Sequence, residues 1–193
     1  MPLVHPDDRF TYADYLGWPE GERWEIVDGE AFAMTPAPSF SHQRAIGRIY
    51  YLLEAALHLG PCVPCVSPVD VVLAEDTVVQ PDVVVVCDRS KIQPAGVRGA
   101  PDLAVEVLSP STALRDRGTK RDLYERHGVR EYLTVDPVSG FAERYLLRED
   151  GTYGKPDLFG PGDSLRLVSL GGLEIPLAEV FEGILPPEAA IPS

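Results

Sequence analysis

Four consecutive valines, Val83-Val84-Val85-Val86, constrain this chain more than any other stretch, because unbroken β-branched side chains suit a strand covered on both faces. A second run, Leu103-Ala104-Val105-Glu106-Val107-Leu108, has the same character, with one carboxylate in its middle. Two buried strands need layers above and below them, and 193 residues are enough for one domain that provides them.

The flanking sequence supplies those layers. Thr11 caps a short helix through Leu16. Trp24 to Val27 and Glu30 to Met34 flank Asp28-Gly29, a pair that marks a tight hairpin because both turn positions need positive φ. Pro36 to Ser39 breaks that second strand. Ser41 is read as the cap of a helix over 41–59, whose wide apolar arc (Ala45, Ile46, Ile49, Tyr50, Leu53, Leu57) predicts packing on both sides. Strands at 63–67 and 69–73 precede the valine run, and a polar loop through Gly99 leads to the Glu106 strand. A helix from about Leu114 to His127 follows, then strands at 132–136 and 141–147, a β segment near Leu173 and Ile175, and a short helix over 177–181. The pattern predicts an α/β (α+β) fold: a mixed, twisted sheet flanked by helices, with an N-terminal β-hairpin. Residues 1–10 are expected to be a flexible N-terminus, 11–184 a single domain, and 185–193 a Pro-rich tail.

No run of about 18 uncharged apolar residues could span a bilayer. The start lacks a basic n-region and an apolar h-region, so a cytoplasmic location is expected. Three cysteines, Cys62, Cys65 and Cys87, are few and odd in number, which predicts reduced thiols. Cys62-Val63-Pro64-Cys65 has the spacing of half a zinc site, with no matching second pair. The formal charge of -13 argues against indiscriminate nucleic-acid binding. Arg115, Arg117, Lys120, Arg121, Arg126 and Arg130 nevertheless cluster into a locally +3 stretch, leaving -16 for the rest.

Glu106 stands out because an ionised carboxylate among Ala104, Val105, Val107 and Leu108 needs a cation, either a side chain or a metal ion. Asp82 opens the valine strand directly after Pro81, where it is either a turn residue or a second acid facing the same ion. Lys120 shares a helix face with Leu123, Tyr124 and His127, which directs it toward the sheet; the competing reading is a surface pair with Asp116. Two carboxylates and a lysine of this kind suit phosphodiester hydrolysis, with Mg²⁺, or Mn²⁺ in its place, on the carboxylates and the Val107 backbone carbonyl as a further ligand. His42 and Gln43 sit in the first turn of the long helix, where they either line a phosphate groove or serve as capping and surface residues.

Gln80-Pro81-Asp82, then Leu103 through Thr112, then Lys120, then Gly128 through Pro137, together resemble the Uma-type restriction endonucleases of the PD-(D/E)XK nuclease superfamily. The resemblance extends from about Thr11 to Phe181 and includes Trp24 through Glu30 and Ser41-His42-Gln43. It implies a restriction-endonuclease-like core with Asp82 and Glu106 as metal ligands and Lys120 as catalytic lysine. The superfamily's lysine two residues after the Glu is Leu108 here, and Lys120 on the following helix matches its relocated position. Glu25 resembles the family's additional acidic position; the alternative is an exposed hairpin charge.

The reading that follows is a Mg²⁺-dependent endonuclease acting on DNA as a homodimer, with His42, Gln43, Arg117 and Arg121 as substrate-binding residues. A catalytically idle nuclease fold that binds nucleic acid or protein is the alternative, and a hydrolase of another phosphate ester is a third.

Overall fold

The computed structural model describes residues 8–19, 21–34, 39–110 and 112–184. Residues 1–7, the Pro36–Pro38 part of the expected strand break and the 185–193 tail lie outside the described residues. The chain opens with α1 (Tyr12–Tyr15), β1 (Trp24–Val27), β2 (Glu30–Ala33), α2 (Phe40–Leu57), β3 (Val63–Val66), β4 (Val71–Ala74), β5 (Thr77–Val79) and β6 (Val83–Val86). Two short strands, β7 (Ile92–Gln93) and β8 (Gly96–Arg98), lead to β9 (Leu103–Val107). A helical run follows: α3 (Ala113–Arg115), a π-helical turn over Asp116–Lys120, and α4 (Arg121–Arg126). The chain continues through β10 (Glu131–Asp136), β11 (Phe141–Leu146), β12 (Asp157–Phe159), β13 (Ser164–Leu167), β14 (Leu173–Pro176) and α5 (Leu177–Val180).

In place of one mixed sheet there are two, each of six strands, with β13 and β14 forming a small third. The first runs β2-β1-β5-β4-β8-β7 and the second β12-β11-β10-β9-β6-β3. The single-sheet expectation is corrected by β5, β7 and β8, which continue the hairpin into a sheet of its own. Those strands hold only two or three residues, too few to display a period of two. Each sheet contains one parallel pair, β4 with β8 and β9 with β10.

Alternation along β6, β9 and β10 decides what lies on each face. Val83, Val85, Leu103, Val105, Val107, Leu133 and Val135 pack with Ala45, Ile46, Ile49 and Leu53 of α2 and with β13, β14 and α5. Val84, Val86, Ala104 and Tyr132 face the other way, onto Leu123 and Tyr124 of α4 and onto Val27, Val71, Val79 and Val97 of the first sheet. The second sheet is therefore covered on both sides, as unbroken valines require.

The hairpin forms as expected, with φ of 51° at Asp28 and 81° at Gly29. Thr11 caps α1 in a capping box with Asp14. Phe10, expected in a flexible segment, instead donates its N–H to the Gly29 carbonyl and packs edge-on against Trp18. For α2 the cap is Ser39, not Ser41, with the Ser39 Oγ accepting from the His42 N–H at 3.2 Å. Nor is α2 packed on both sides, since Phe40 and Tyr51 are exposed. The expectation of reduced thiols is corrected for Cys62 and Cys87, which form a disulfide. The antiparallel register Val63↔Val86 brings them side by side, a long-range pairing that cysteine counting does not reveal. Cys65 is free.

Candidate active site

Asp82 and Glu106 meet through strand register. β6 and β9 are antiparallel with Val83 opposite Val105 and Val84 opposite Ala104, so the same register carried one step further sets Asp82 across from Glu106 on the α4 face. The Val107 N–H donates to Asp82 Oδ2 at 2.8 Å, which fixes that carboxylate at the mouth of the strand pair. A residue in an extended strand turns its N–H and C=O toward the same edge, so the Val107 carbonyl also faces Asp82.

Lys120 reaches this point from the π-turn. The extra residue of a π-turn widens the helix locally. Asp116 and Lys120 both turn inward there, at 2 % and 4 % exposure. Lys120 Nζ donates to Glu106 Oε1 at 2.8 Å, lies 2.9 Å from Glu25 Oε1 and stands 3.8 Å from Asp116 Oδ1. The pair with Asp116 thus exists, but it is buried, not a surface pair. One turn on, the Tyr124 hydroxyl donates to the same Glu106 Oε1 at 2.8 Å.

Glu25 is not an exposed hairpin charge. Alternation along β1 turns Glu25 and Val27 toward the second sheet, and Glu25 is 1 % exposed. Its Oε1 accepts the Gln80 N–H at 3.0 Å in addition to facing Lys120, and its Oε2 lies 2.9 Å from Arg115 Nη2. With both oxygens engaged, Glu25 anchors the two cations instead of pointing at an ion. The Arg115 guanidinium stacks over the Phe32 ring at 4.3 Å.

The charges do not balance. Burial drives the Glu106 carboxyl well above its ordinary 4.5, against the pull of Lys120, with Asp116, Asp82 and Glu25 adding repulsion. Burial likewise raises Asp82 and Asp116. Glu25 moves the other way, because Lys120 and Arg115 together outweigh its own large desolvation. Lys120 is raised despite burial, since Glu106, Glu25 and Asp116 all favour its charge. The cluster is a protonated lysine firmly paired with Glu25, beside carboxylates short of positive charge.

These groups line a cavity of about 410 Å³ together with Arg23, His42, Gln43, Gln80, Val107, Ser109 and Arg115. His42 is buried, with Nε2 3.5 Å from Asp82 Oδ2 and Nδ1 without a hydrogen-bond partner. Gln43 is exposed at the rim. Arg117 and Arg121 are not brought there: Arg117 donates to Glu143 at 3.0 Å and stacks on Phe141, and Arg121 pairs with its neighbour Asp122. Sequence reasoning had placed them in the substrate groove on the basis of charge alone. It passed over Arg23, Gln80, Arg115 and Asp116 as site residues. For Asp116 a signal existed, its spacing of four from Lys120; for Arg115 none did, because its inward turn depends on the π-turn.

The residues fit a hard divalent cation. Among the described residues no three His, Cys, Asp or Glu side chains converge to cage a metal, which also leaves the Cys62–Cys65 spacing without a zinc site. Mg²⁺ does not require such a cage; it is held by one or two carboxylates with the remaining positions left to water and phosphate. Asp82 Oδ1 and Glu106 Oε2 accept no hydrogen bond among the described residues, while the opposite oxygen of each is held in place. Two open oxygens, a carbonyl on the same edge and a deficit of positive charge make up the expected donor set.

Comparison with known proteins gives a consistent result. The Uma2 family, described as "Putative restriction endonuclease", matches residues 12–178. An uncharacterized protein of Synechocystis sp. is 30% identical over 183 residues, covering 93% of this chain and 95% of that protein. The crystal structure of "a putative nuclease belonging to DUF820" from Anabaena variabilis superposes with a TM-score of 0.75 at 17% identity, over 91% of this chain and 99% of that one. That likeness concerns the fold. Among the described residues no helix is long and apolar enough to cross a membrane.

Proposed function

The chain belongs to the Uma2 family, and on that premise we propose that it is a divalent-metal-dependent endonuclease that hydrolyses phosphodiester bonds in DNA. The observation that carries the reading is the convergence of Asp82, Glu106 and Lys120 in one cavity, with unshared carboxylate oxygens facing a deficit of positive charge. Asp82, Glu106 and the Val107 carbonyl would hold Mg²⁺, with Mn²⁺ as substitute. When bound, such a cation acidifies water and offsets charge on the phosphate. Glu106, Glu25 and Asp116 favour the charged form of Lys120, which would serve as a positive charge beside the scissile group. Glu25, itself fixed by the Gln80 N–H, holds Lys120 in place, Tyr124 fixes one oxygen of Glu106, and His42 stands beside Asp82.

One observation favours the idle alternative, a nuclease-fold binding module: Lys120 is already taken up by two carboxylates. Incubating the protein with supercoiled, linear and single-stranded DNA plus Mg²⁺ or Mn²⁺ separates the two. Metal-dependent cleavage lost in Glu106→Gln and Lys120→Met supports the endonuclease; cleavage unchanged in both variants, or absent throughout, supports the alternative. Cutting both strands of a duplex suits two symmetric sites, so a homodimer belongs with that form of the proposal and light scattering reads it.

A further inference from the structure

Resting on the phosphodiester reading of this cavity, we propose that Arg23 binds the DNA phosphate next to the scissile one, and that Gln80 is the positioning residue that holds it there. The cavity lining includes Arg23, Arg115 and Lys120 as its Lys and Arg side chains. Lys120 is engaged by Glu106 and Glu25, and Arg115 by Glu25. Arg23, exposed at the edge of β1, has no carboxylate partner among the described residues; its side chain is held instead by the neutral Gln80 amide, with Nε donating to Oε1 at 2.9 Å. The N–H groups of both terminal nitrogens remain for an anion, in the fork that matches two phosphate oxygens.

That guanidinium is ordered in advance. Gln80 is 5 % exposed and is itself fixed: Nε2 donates to Asp70 Oδ1 at 2.8 Å and to the Tyr15 hydroxyl at 3.2 Å, while the hydroxyl donates to the same Asp70 oxygen at 2.9 Å. Burial and the neighbouring Asp70 raise the Tyr15 phenol above its ordinary 10, so it remains a donor. A long surface side chain normally gives up rotamer freedom when it binds a ligand, and here the Tyr15–Asp70–Gln80 chain of bonds has already taken that freedom away.

The same glutamine ties Arg23 to the reactive centre. Its N–H donates to Glu25 Oε1, the oxygen that faces Lys120, so Gln80 sets Arg23 and Lys120 in one frame. The β1–β2 ladder runs on past Trp24, with the Arg23 carbonyl accepting the Met34 N–H at 2.9 Å. Alternation then puts Arg23 on the face of Glu25, about 7 Å away along the strand. Lys120, anchored by Glu25, stands at the scissile phosphate; a cation one side-chain step away meets the adjoining phosphate of the same strand.

A phosphate contact releases counterions and a purely structural role does not, so salt dependence tells the two apart. The test is fluorescence anisotropy with the full chain as Glu106→Gln, which leaves the DNA intact, and a labelled duplex oligonucleotide in KCl from about 50 to 200 mM. Adding Arg23→Ala is expected to weaken binding about tenfold or more at the lowest salt and to make the plot of log binding constant against log salt shallower by about 1. Adding Arg23→Lys, which keeps the charge, is expected to retain the parent slope. An unchanged slope in Arg23→Ala, a slope in Arg23→Lys as shallow as that of Arg23→Ala, or no duplex binding by the parent overturns the proposal. The nuclease reading fails separately: wild-type cleavage together with an unchanged slope in Arg23→Ala leaves that reading standing and removes Arg23 from the site. The slope change without any wild-type cleavage does the reverse.

Discussion

Lys120 keeps its proton because three carboxylates surround it, and those carboxylates in turn depend on it. Removing one partner of a buried ion pair costs about 3–5 kcal/mol when the others cannot adapt. Lys120→Met is therefore expected to lose about 3 kcal/mol in urea unfolding at pH 8, and less near pH 5, where the acids take up protons instead. The pH dependence of the metal-free protein has a definite sign. Glu106 has a folded pKa above its ordinary 4.5, and Asp82 and Asp116 lie above 3.8, so their protonated forms favour the fold. That contribution is fully present below the unfolded values and is lost as pH rises through the folded ones. Glu25, with a depressed pKa, acts oppositely: its contribution is present above 4.5 and lost as pH falls through its folded value. In EDTA the melting temperature should fall from about pH 5 to about pH 8, and Glu106→Gln should remove most of that fall; a flat wild-type profile would count against the charge deficit. Glu106, Asp82 and Lys120 were legible in the sequence because each breaks an apolar pattern. Arg115 broke none.

Most elements of four residues or more announced themselves, β13 (Ser164–Leu167) being an exception, and the strands of two or three residues did not. The valine strand, the Glu106 strand and the hairpin each carry a pattern long enough to read, whereas β7 and β8, lying inside an expected polar loop, add up to five residues. Their placement rests on one glycine. Gly96 has φ of 136°, and a Cβ there would stand 2.3 Å from the Asp70 carbonyl oxygen, the same oxygen that accepts the Val97 N–H at 2.8 Å. Gly96→Ala is expected to cost at least about 2 kcal/mol and to lower the melting temperature by roughly 4–8 °C, measured calorimetrically. A change within 1 °C, by the same size scaling, would mean that β8 does not pack on β4 as described. The π-turn had no warning in the sequence either. A helix drawn at 3.6 residues per turn through 114–127 gives the right face for Lys120 and Asp116 but not the inward direction of Arg115.

At the scale of the whole molecule, the -13 charge and the internal pairing of the basic residues set how any nucleic acid is held. With two cations beside Lys120 in the lining, the plot of log binding constant against log salt should have a slope of about -2 or shallower. A slope of about -5 or steeper would reveal a phosphate-tracking surface that the arrangement of ion pairs does not provide. The fold class and the central strands came from hydrophobic patterning, while the division into two sheets depended on pairings between residues far apart in sequence, such as Ile26 with Val78. The central claim is that Asp82 and Glu106 open onto a divalent cation. Isothermal titration of Mn²⁺ into the metal-free wild type and Glu106→Gln tests it most directly. The expected result is one binding event per chain with proton release in the wild type, because raised carboxyls must ionise to bind, and its loss in the variant. Absence of binding in the wild type, or an unchanged isotherm in Glu106→Gln, would contradict it.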